Sequence, residues 1–318
     1  MKPLPLILPN DSGYYSSEYW FYVWNPATRT SKKCGCFRES ASTSIFSFAF
    51  GCDNSTGAYK VVAYRYFKTD SGVLTSEVRV LSLGGDDVWR NIESFPIVPY
   101  HVNYEDSDGY LNGTLNWLAN HNAECYIYPC TDPDPVEQFV IVSLDLGTET
   151  YHQYLLPSGF EEVPPRQPYI VMLGGCLCFS YCHKETGFVI WQMKKFGDKD
   201  SWTQLFQISY QNLQIDYNEY IKHRLRLHIL LLSKDSNTLL IRSTEASEAF
   251  LYNRRDQRVE PTNITPGRTS YGDTTGLEWD YIKEYVETRD WDFIKDYVET
   301  SVGWDYIKDY VESLVPLP

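Results

Sequence analysis

An all-β fold built from a repeated four-stranded unit is what this sequence predicts, and three observations carry the prediction. The chain is rich in aromatic side chains (16%, with 26 Tyr and 9 Trp) and poor in Met (3), a composition suited to the pleated, half-buried surface of strands. Short apolar runs alternate with clusters of Gly, Asn, Asp and Pro from residue 21 to residue 265, the pattern of strands and turns. The strand-turn-strand units are centred near Trp24-Asn25, Leu81, Leu144-Asp145, Trp191 and Tyr252-Asn253, roughly 47 to 63 residues apart, close to a kelch blade length of about 50. An apolar hairpin lies between successive units: residues 46–51, 110–118, 171–181 and 229–241. One such hairpin plus one such unit makes a blade. The prediction is a kelch-like β-propeller, whole or incomplete, over residues 21–265, with an irregular segment before it (1–20) and an acidic repeated tail after it (266–318). A two-sheet sandwich is the alternative; it accounts for the strands but not for their spacing.

The elements follow in order. Phe21-Tyr22-Val23-Trp24 reads as a strand that ends in the turn residues Asn25-Pro26, since Pro cannot continue a central strand. Residues 44–50 form the next strand, and Asp53-Asn54-Ser55-Thr56-Gly57 is a loop of turn formers. Residues 59–67 are apolar with little alternation, so both faces of that strand should be covered. Residues 77–83 alternate strictly, which predicts one exposed face. Residues 88–92 return. Tyr110-Leu111-Asn112-Gly113-Thr114-Leu115-Asn116-Trp117-Leu118-Ala119 is the plainest hairpin, because Asn-Gly tolerates the positive φ of a two-residue type I′ turn. Strands follow at 138–146, 151–156, 169–173, 176–181, 188–193, 202–208, 224–232, 238–242 and 249–253, and Val259 closes the series.

The tail differs. Trp279-Asp280-Tyr281-Ile282-Lys283-Glu284-Tyr285-Val286-Glu287 recurs at Trp291 and again at Trp304. Wound as a helix at about 100° per residue, each unit gathers its apolar side chains on one side and its charges on the other. Short amphipathic helical segments are therefore expected, marginal alone and in need of a surface. From Glu278 to Glu312 eleven acids face four bases, a net −7, half of the chain's formal −14.

That acidic balance argues against binding the phosphate backbone of nucleic acid. No stretch approaches the length of a membrane span, and the N-terminal apolar run is too short and proline-broken for a signal peptide. The eight cysteines (34, 36, 52, 125, 130, 176, 178 and 182) are scattered through a large chain, the usage of buried free thiols in a reducing compartment. A cytoplasmic or nuclear location is the expectation.

Candidate chemistry is thin. Cys176, Cys178, Cys182 and His183 are closely spaced, but Cys176 and Cys178 share one strand face and lack the second C-x₂₋₄-C pair that tetrahedral zinc needs. Cys34 and Cys36 are the only other close pair. His101, His121, His152, His183, His223 and His228 are isolated from one another, and no nucleophile elbow or phosphate loop is present. Asp132 and Asp134 flank Pro133 in a loop, as a solvated pair does. Asn54, Asn112 and Asn263 open N-x-[ST] triplets of the kind that arise by chance. No catalytic, cofactor-binding or metal residue is assigned, no cofactor is expected, and residues that bind a partner cannot be named.

Five stretches carry a family likeness. Trp24-Asn25-Pro26-Ala27-Thr28-Arg29, Phe48-Ala49-Phe50-Gly51-Cys52-Asp53 with Tyr59-Lys60-Val61-Val62, Leu111-Asn112-Gly113-Thr114-Leu115-Asn116-Trp117-Leu118-Ala119, Val142-Ser143-Leu144-Asp145-Leu146-Gly147-Thr148-Glu149, and Tyr310-Val311-Glu312-Ser313-Leu314 resemble, in the same order, the signatures of plant F-box proteins with an F-box-associated interaction domain. The resemblance implies a kelch-like propeller that recruits substrate proteins to a cullin-RING (SCF-type) ubiquitin ligase. In that family a separate F-box before the propeller holds the Skp-type adaptor. Residues 1–20 do not resemble it, so adaptor binding is expected only if an F-box is supplied elsewhere. A substrate protein is the expected partner, not nucleic acid or membrane. A truncated, non-recruiting family member and, less favoured, an enzyme on a propeller scaffold are the other readings.

Overall fold

A computed structural model describes residues 16–25, 30–40, 46–84, 88–100, 109–121, 136–213, 227–233, 235–243 and 249–261. Among the described residues are four four-stranded antiparallel sheets and one two-stranded sheet, and within each sheet the strands lie in sequence order. The two-stranded sheet is β1 (Ser16–Asn25) and β2 (Thr30–Ser40). Blade 1 is β3 (Ser47–Cys52), β4 (Tyr59–Lys68), β5 (Leu74–Ser82) and β6 (Trp89–Ile92). Blade 2 is β7 (Gly109–Leu111), β8 (Thr114–Asn120), β9 (Phe139–Asp145) and β10 (Tyr151–Leu155). Blade 3 is β11 (Tyr169–Leu173), β12 (Cys176–His183), β13 (Gly187–Met193) and β14 (Trp202–Ser209). Blade 4 is β15 (Leu227–Leu232), β16 (Thr238–Ser243), β17 (Ala249–Asn253) and β18 (Arg258–Pro261). The chain is a β-propeller, and the hairpin-plus-unit reading of the sequence assigns the strands of blades 2, 3 and 4, while in blade 1 its hairpin range 46–51 covers β3 alone and the hairpin continues into β4.

The blades stack face to face, and this explains why their strands read as near-continuous apolar runs. Residues of odd and even position enter different cores. On β8, Leu115, Trp117 and Ala119 pack towards blade 1 while Leu118 packs towards blade 3; on β9, Val140, Val142 and Leu144 face blade 1 while Phe139 and Ile141 face blade 3. A third cluster joins blades 3 and 4 through Phe188, Ile190, Ile208, Ile229, Ile241 and Phe250. Trp117 anchors the seam between blades 1 and 2: its ring meets Tyr64 at 5.6 Å and Phe95 at 5.0 Å, both edge-on, contacts worth about 1 kcal/mol each beyond their buried area. Blades also touch through their first two strands, β3 with β8, β7 with β11 and β11 with β15.

Three differences from the sequence reading are physical. Strand β1 begins at Ser16, inside the segment expected to be irregular, because Ser16 to Asn25 pairs along the full length of β2. Strand β2 was not anticipated; Lys32, Lys33 and Gly35 disguise it, and only pairing with β1 makes it a strand. The alternating face of β5 is half-buried rather than exposed. Arg65 and Arg79 both bond Glu77, and both guanidinium groups lie over the Phe46 ring, at 4.6 and 5.4 Å. The repeated tail, where short helical segments are expected, lies outside the described residues.

Candidate interaction face

Because each blade is a meander of antiparallel strands, its connections divide between two sides of the propeller. One side carries the first-to-second and third-to-fourth turns: 53–58, 83–88, 112–113, 146–150, 174–175, 194–201, 233–237 and 254–257. The other carries the second-to-third turns, 69–73 and 184–186 among them, and the blade-to-blade connections, of which 156–168 is described throughout; from strand to strand the connections of this side reach greater chain lengths. The first side is short-looped and the second long-looped.

On the short-turn side, the residues of the family likeness converge. Asn112 (φ 47°) and Gly113 (φ 92°) supply the two positive φ values of the type I′ turn. The Gly113 carbonyl accepts the Leu146 N–H at 2.9 Å, and Tyr110 donates its hydroxyl to the Cys52 carbonyl at 3.1 Å. A Cβ on Gly51 would stand 2.5 Å from Leu146 Cδ1 and 2.6 Å from Tyr110 Cδ2, so glycine is what lets blade 1 approach blade 2. Beside it the ammonium of Lys60, buried, donates to the Leu146 carbonyl, to Glu149 Oε1 at 2.8 Å, and lies 3.7 Å from Asp53 Oδ2. Arg90, half-exposed, holds the other side of Glu149 through both terminal nitrogens.

The protonation of this cluster follows from its neighbours. Burial alone would raise the Asp53 carboxyl, but donors from Ser55 (N–H 2.8 Å, hydroxyl 2.7 Å) and Thr56 (hydroxyl 2.8 Å) outweigh it and hold Asp53 well below the usual carboxylate range. Burial likewise opposes the Glu149 charge, and Arg90 and Lys60 together lower it. Two cations and two anions cancel. Every group is engaged with another, so the arrangement fastens blade 1 to blade 2 and has no free base or nucleophile to offer a substrate. Sequence reasoning quoted Asp53, Lys60 and Glu149 as letters of a likeness without giving them a role; the nearby glycines were the available signal.

The other candidates are placed as follows. Cys176, Cys178 and Cys182 are not joined in disulfides. Cys178 is buried in the seam between blades 3 and 4, and Cys182 receives the Tyr210 hydroxyl at 3.1 Å while burial pushes its thiol up. His183 lies 4.0 Å from Glu162, His152 stacks on Tyr154, His228 is buried on β15, and His121 is exposed at the end of β8. Cys34 and Cys36 lie on β2. Among the described residues no group of three or more His, Cys, Asp and Glu could hold a metal ion, and no helix is long and apolar enough to cross a membrane. Cys125, Cys130, Asp132, Asp134, His101, His223 and Asn263 lie outside the described residues.

On the long-loop side, β4 and β5 run on together past both neighbours. Their pairing continues through Arg65↔Glu77, Tyr66↔Ser76, Phe67↔Thr75 and Lys68↔Leu74, whereas β3 stops at Tyr64 and β6 at Val78. The turn at its tip is ordered by Thr69, whose N–H donates to the Val73 carbonyl at 2.9 Å and whose carbonyl accepts the Gly72 N–H at 2.8 Å. Phe67 (39% exposed) and Val73 (60%) project from this ribbon.

A radial stack of blades, fastened on one side and looped on the other, makes up the scaffold. The chain belongs to the family of the F-box associated beta propeller domain, whose profile it matches over residues 14–317. It is similar to an F-box/kelch-repeat protein of Arabidopsis thaliana, 27% identical over 198 residues, covering 59% of this chain and 47% of that protein. It is also similar to the F-box protein CPR1 of Arabidopsis thaliana, 29% identical over 209 residues, 58% of this chain and 47% of that protein. The chain spans about half the length of these curated relatives. Among solved structures, the β-propeller domain of the Trilobed protease from Pyrococcus furiosus aligns with 82% of this chain and 71% of its own at 10% identity and a TM-score of 0.38.

Proposed function

We propose that this chain recruits substrate proteins to an SCF-type, cullin-RING ubiquitin ligase, in the cytoplasm or the nucleus. The observation that carries the reading is the family match over residues 14–317, joined by relatives that are F-box proteins. The propeller supplies recognition, and the Skp-type adaptor is reached through an F-box outside it. Recognition belongs to the long-loop side, because variable connections on a rigid scaffold are where binding residues concentrate, while the short-turn side is spent on fastening blades. Phe67 and Val73, presented by an ordered ribbon, are exposed apolar residues there, as is Leu155 at the end of β10; aromatic anchors dominate protein interfaces.

The test is a fusion of a competent F-box to the N-terminus of this chain, expressed in plant cells beside the F-box alone. A set of proteins ubiquitylated only by the fusion is the expected result. An identical ubiquitylation pattern from both would overturn the reading.

A further inference from the structure

We propose a hydration site inside the seam between blades 2 and 3, one water molecule bridging Asn116 Oδ1 and Ser143 Oγ. The two residues are cross-strand partners on β8 and β9. They share the face of Leu118 and Ile141, which packs towards blade 3. Both are 0% exposed, and among the described residues neither Asn116 Oδ1 nor Ser143 Oγ has a hydrogen-bond partner. The Asn116 amide cannot be turned to relieve this. Its Nδ2 donates to the Gly109 carbonyl at 2.6 Å and to Thr114 Oγ1 at 3.1 Å, which fixes Oδ1 as an acceptor with no donor. A buried polar atom left unpaired is costly, and two such atoms side by side share one remedy.

The amide's neighbours in the row are small. Gly109, Asn116, Ser143 and His152 stand in one row across β7, β8, β9 and β10. Glycine and serine on either side of the amide replace the large side chains found elsewhere in the seam. A Cβ on Gly109 would make only ordinary contact with Ile170 Cδ1 (3.4 Å) and Met172 Sδ (3.5 Å). Directly paired strand residues have Cβ atoms about 5 Å apart, a span that one water closes by donating to Oδ1 and accepting from or donating to Oγ. Buried waters typically make about three hydrogen bonds in polar sites of this kind. The row ends at His152, which is exposed.

The measurement is a crystal structure of the full chain, with thermal unfolding of Ser143→Ala beside wild type. Ordered density between Asn116 and Ser143 is expected, together with a melting temperature lowered by about 2 °C or more, since the variant leaves the water a partner short. In a dry seam the same substitution deletes an unpaired buried hydroxyl, so the melting temperature would hold or rise. No density between the two atoms, or a melting temperature that does not fall, overturns the proposal.

Discussion

Single residues at the junction of blades 1 and 2 do work that their letters alone do not announce. Gly51 is required by space: alanine there would drive a methyl into Leu146 and Tyr110, each within 2.6 Å. Gly51→Ala is expected to cost about 1–3 kcal/mol, the range for overpacking a filled site, measured by urea unfolding. Lys60 is required by charge. Removing Glu149 as its partner by Glu149→Gln should cost about 3 kcal/mol, the low end for breaking a buried pair, because Arg90 on the far side of Glu149 is half-exposed. Both carboxyls are held below their ordinary values of 3.8 for Asp53 and 4.5 for Glu149. Groups depressed in this way contribute stability above their unfolded values, and that stability drains as pH falls through the folded ones. Wild type should therefore lose stability steadily once pH drops below 4.5, and Glu149→Gln should lose less over the same interval. Parallel acid-unfolding curves for the two proteins would show the cluster to be unimportant.

Whole elements are joined by a recurring rim contact. The Tyr151 hydroxyl donates to the Glu93 carbonyl at 2.9 Å, Trp202 Nε1 to the Leu155 carbonyl at 3.0 Å, and an Arg254 nitrogen to the Leu205 carbonyl at 3.1 Å. Each ties the outer strand of one blade, or the turn leading into it, to the outer region of the blade before. Connections between blades also fill cores. Phe160, in the segment between β10 and β11, is buried and meets Phe139, Phe179 and Tyr181 at 5.5, 5.1 and 4.9 Å. Tyr181 in turn donates its hydroxyl to the Gly159 carbonyl at 3.1 Å. Phe160→Ala should cost about 3–5 kcal/mol, as large-to-small changes in filled cores do, and calorimetry would read it as a lower melting temperature. A variant within 1 °C of wild type would mean that the aromatic cluster collapses around the gap at negligible cost, contrary to the usual cavity penalty of about 2–4 °C per kcal/mol lost in a chain of this size.

At the scale of the molecule, the two sides of the propeller should separate stability from recognition. Phe67→Ala with Val73→Ser, on the long-loop side, is expected to leave the melting temperature within about 1 °C of wild type, because exposed sites away from special features change stability little. It should reduce capture of ubiquitylated targets by the F-box fusion at least tenfold, about 1.4 kcal/mol of binding. Val88→Ser, an equally exposed change (58%) on the short-turn side, should leave capture intact. Equal losses from both would break the assignment of faces. Clasp variants such as Glu149→Gln should show the reverse pattern, with lower stability and unchanged targets at temperatures where they remain folded.

The sequence determined the strands, their grouping and the family. Apolar runs, turn dipeptides such as Asn112-Gly113 and the blade-length spacing are local or periodic properties, and the structure reproduces them in the four blades. What the sequence could not decide depends on who meets whom. Strand β2 exists because β1 pairs with it, against its own Lys-rich composition. The alternating face of β5 is covered because Arg65 of β4 and Phe46, just before β3, lie against it. Asp53, Lys60 and Glu149 lie up to 96 residues apart in the chain and become one charge cluster only when blades 1 and 2 stack. Periodicity is written in the order of residues; ion pairs between blades, the choice of looped side and the unpaired atoms of Asn116 and Ser143 arise from through-space neighbours, which only tertiary packing supplies.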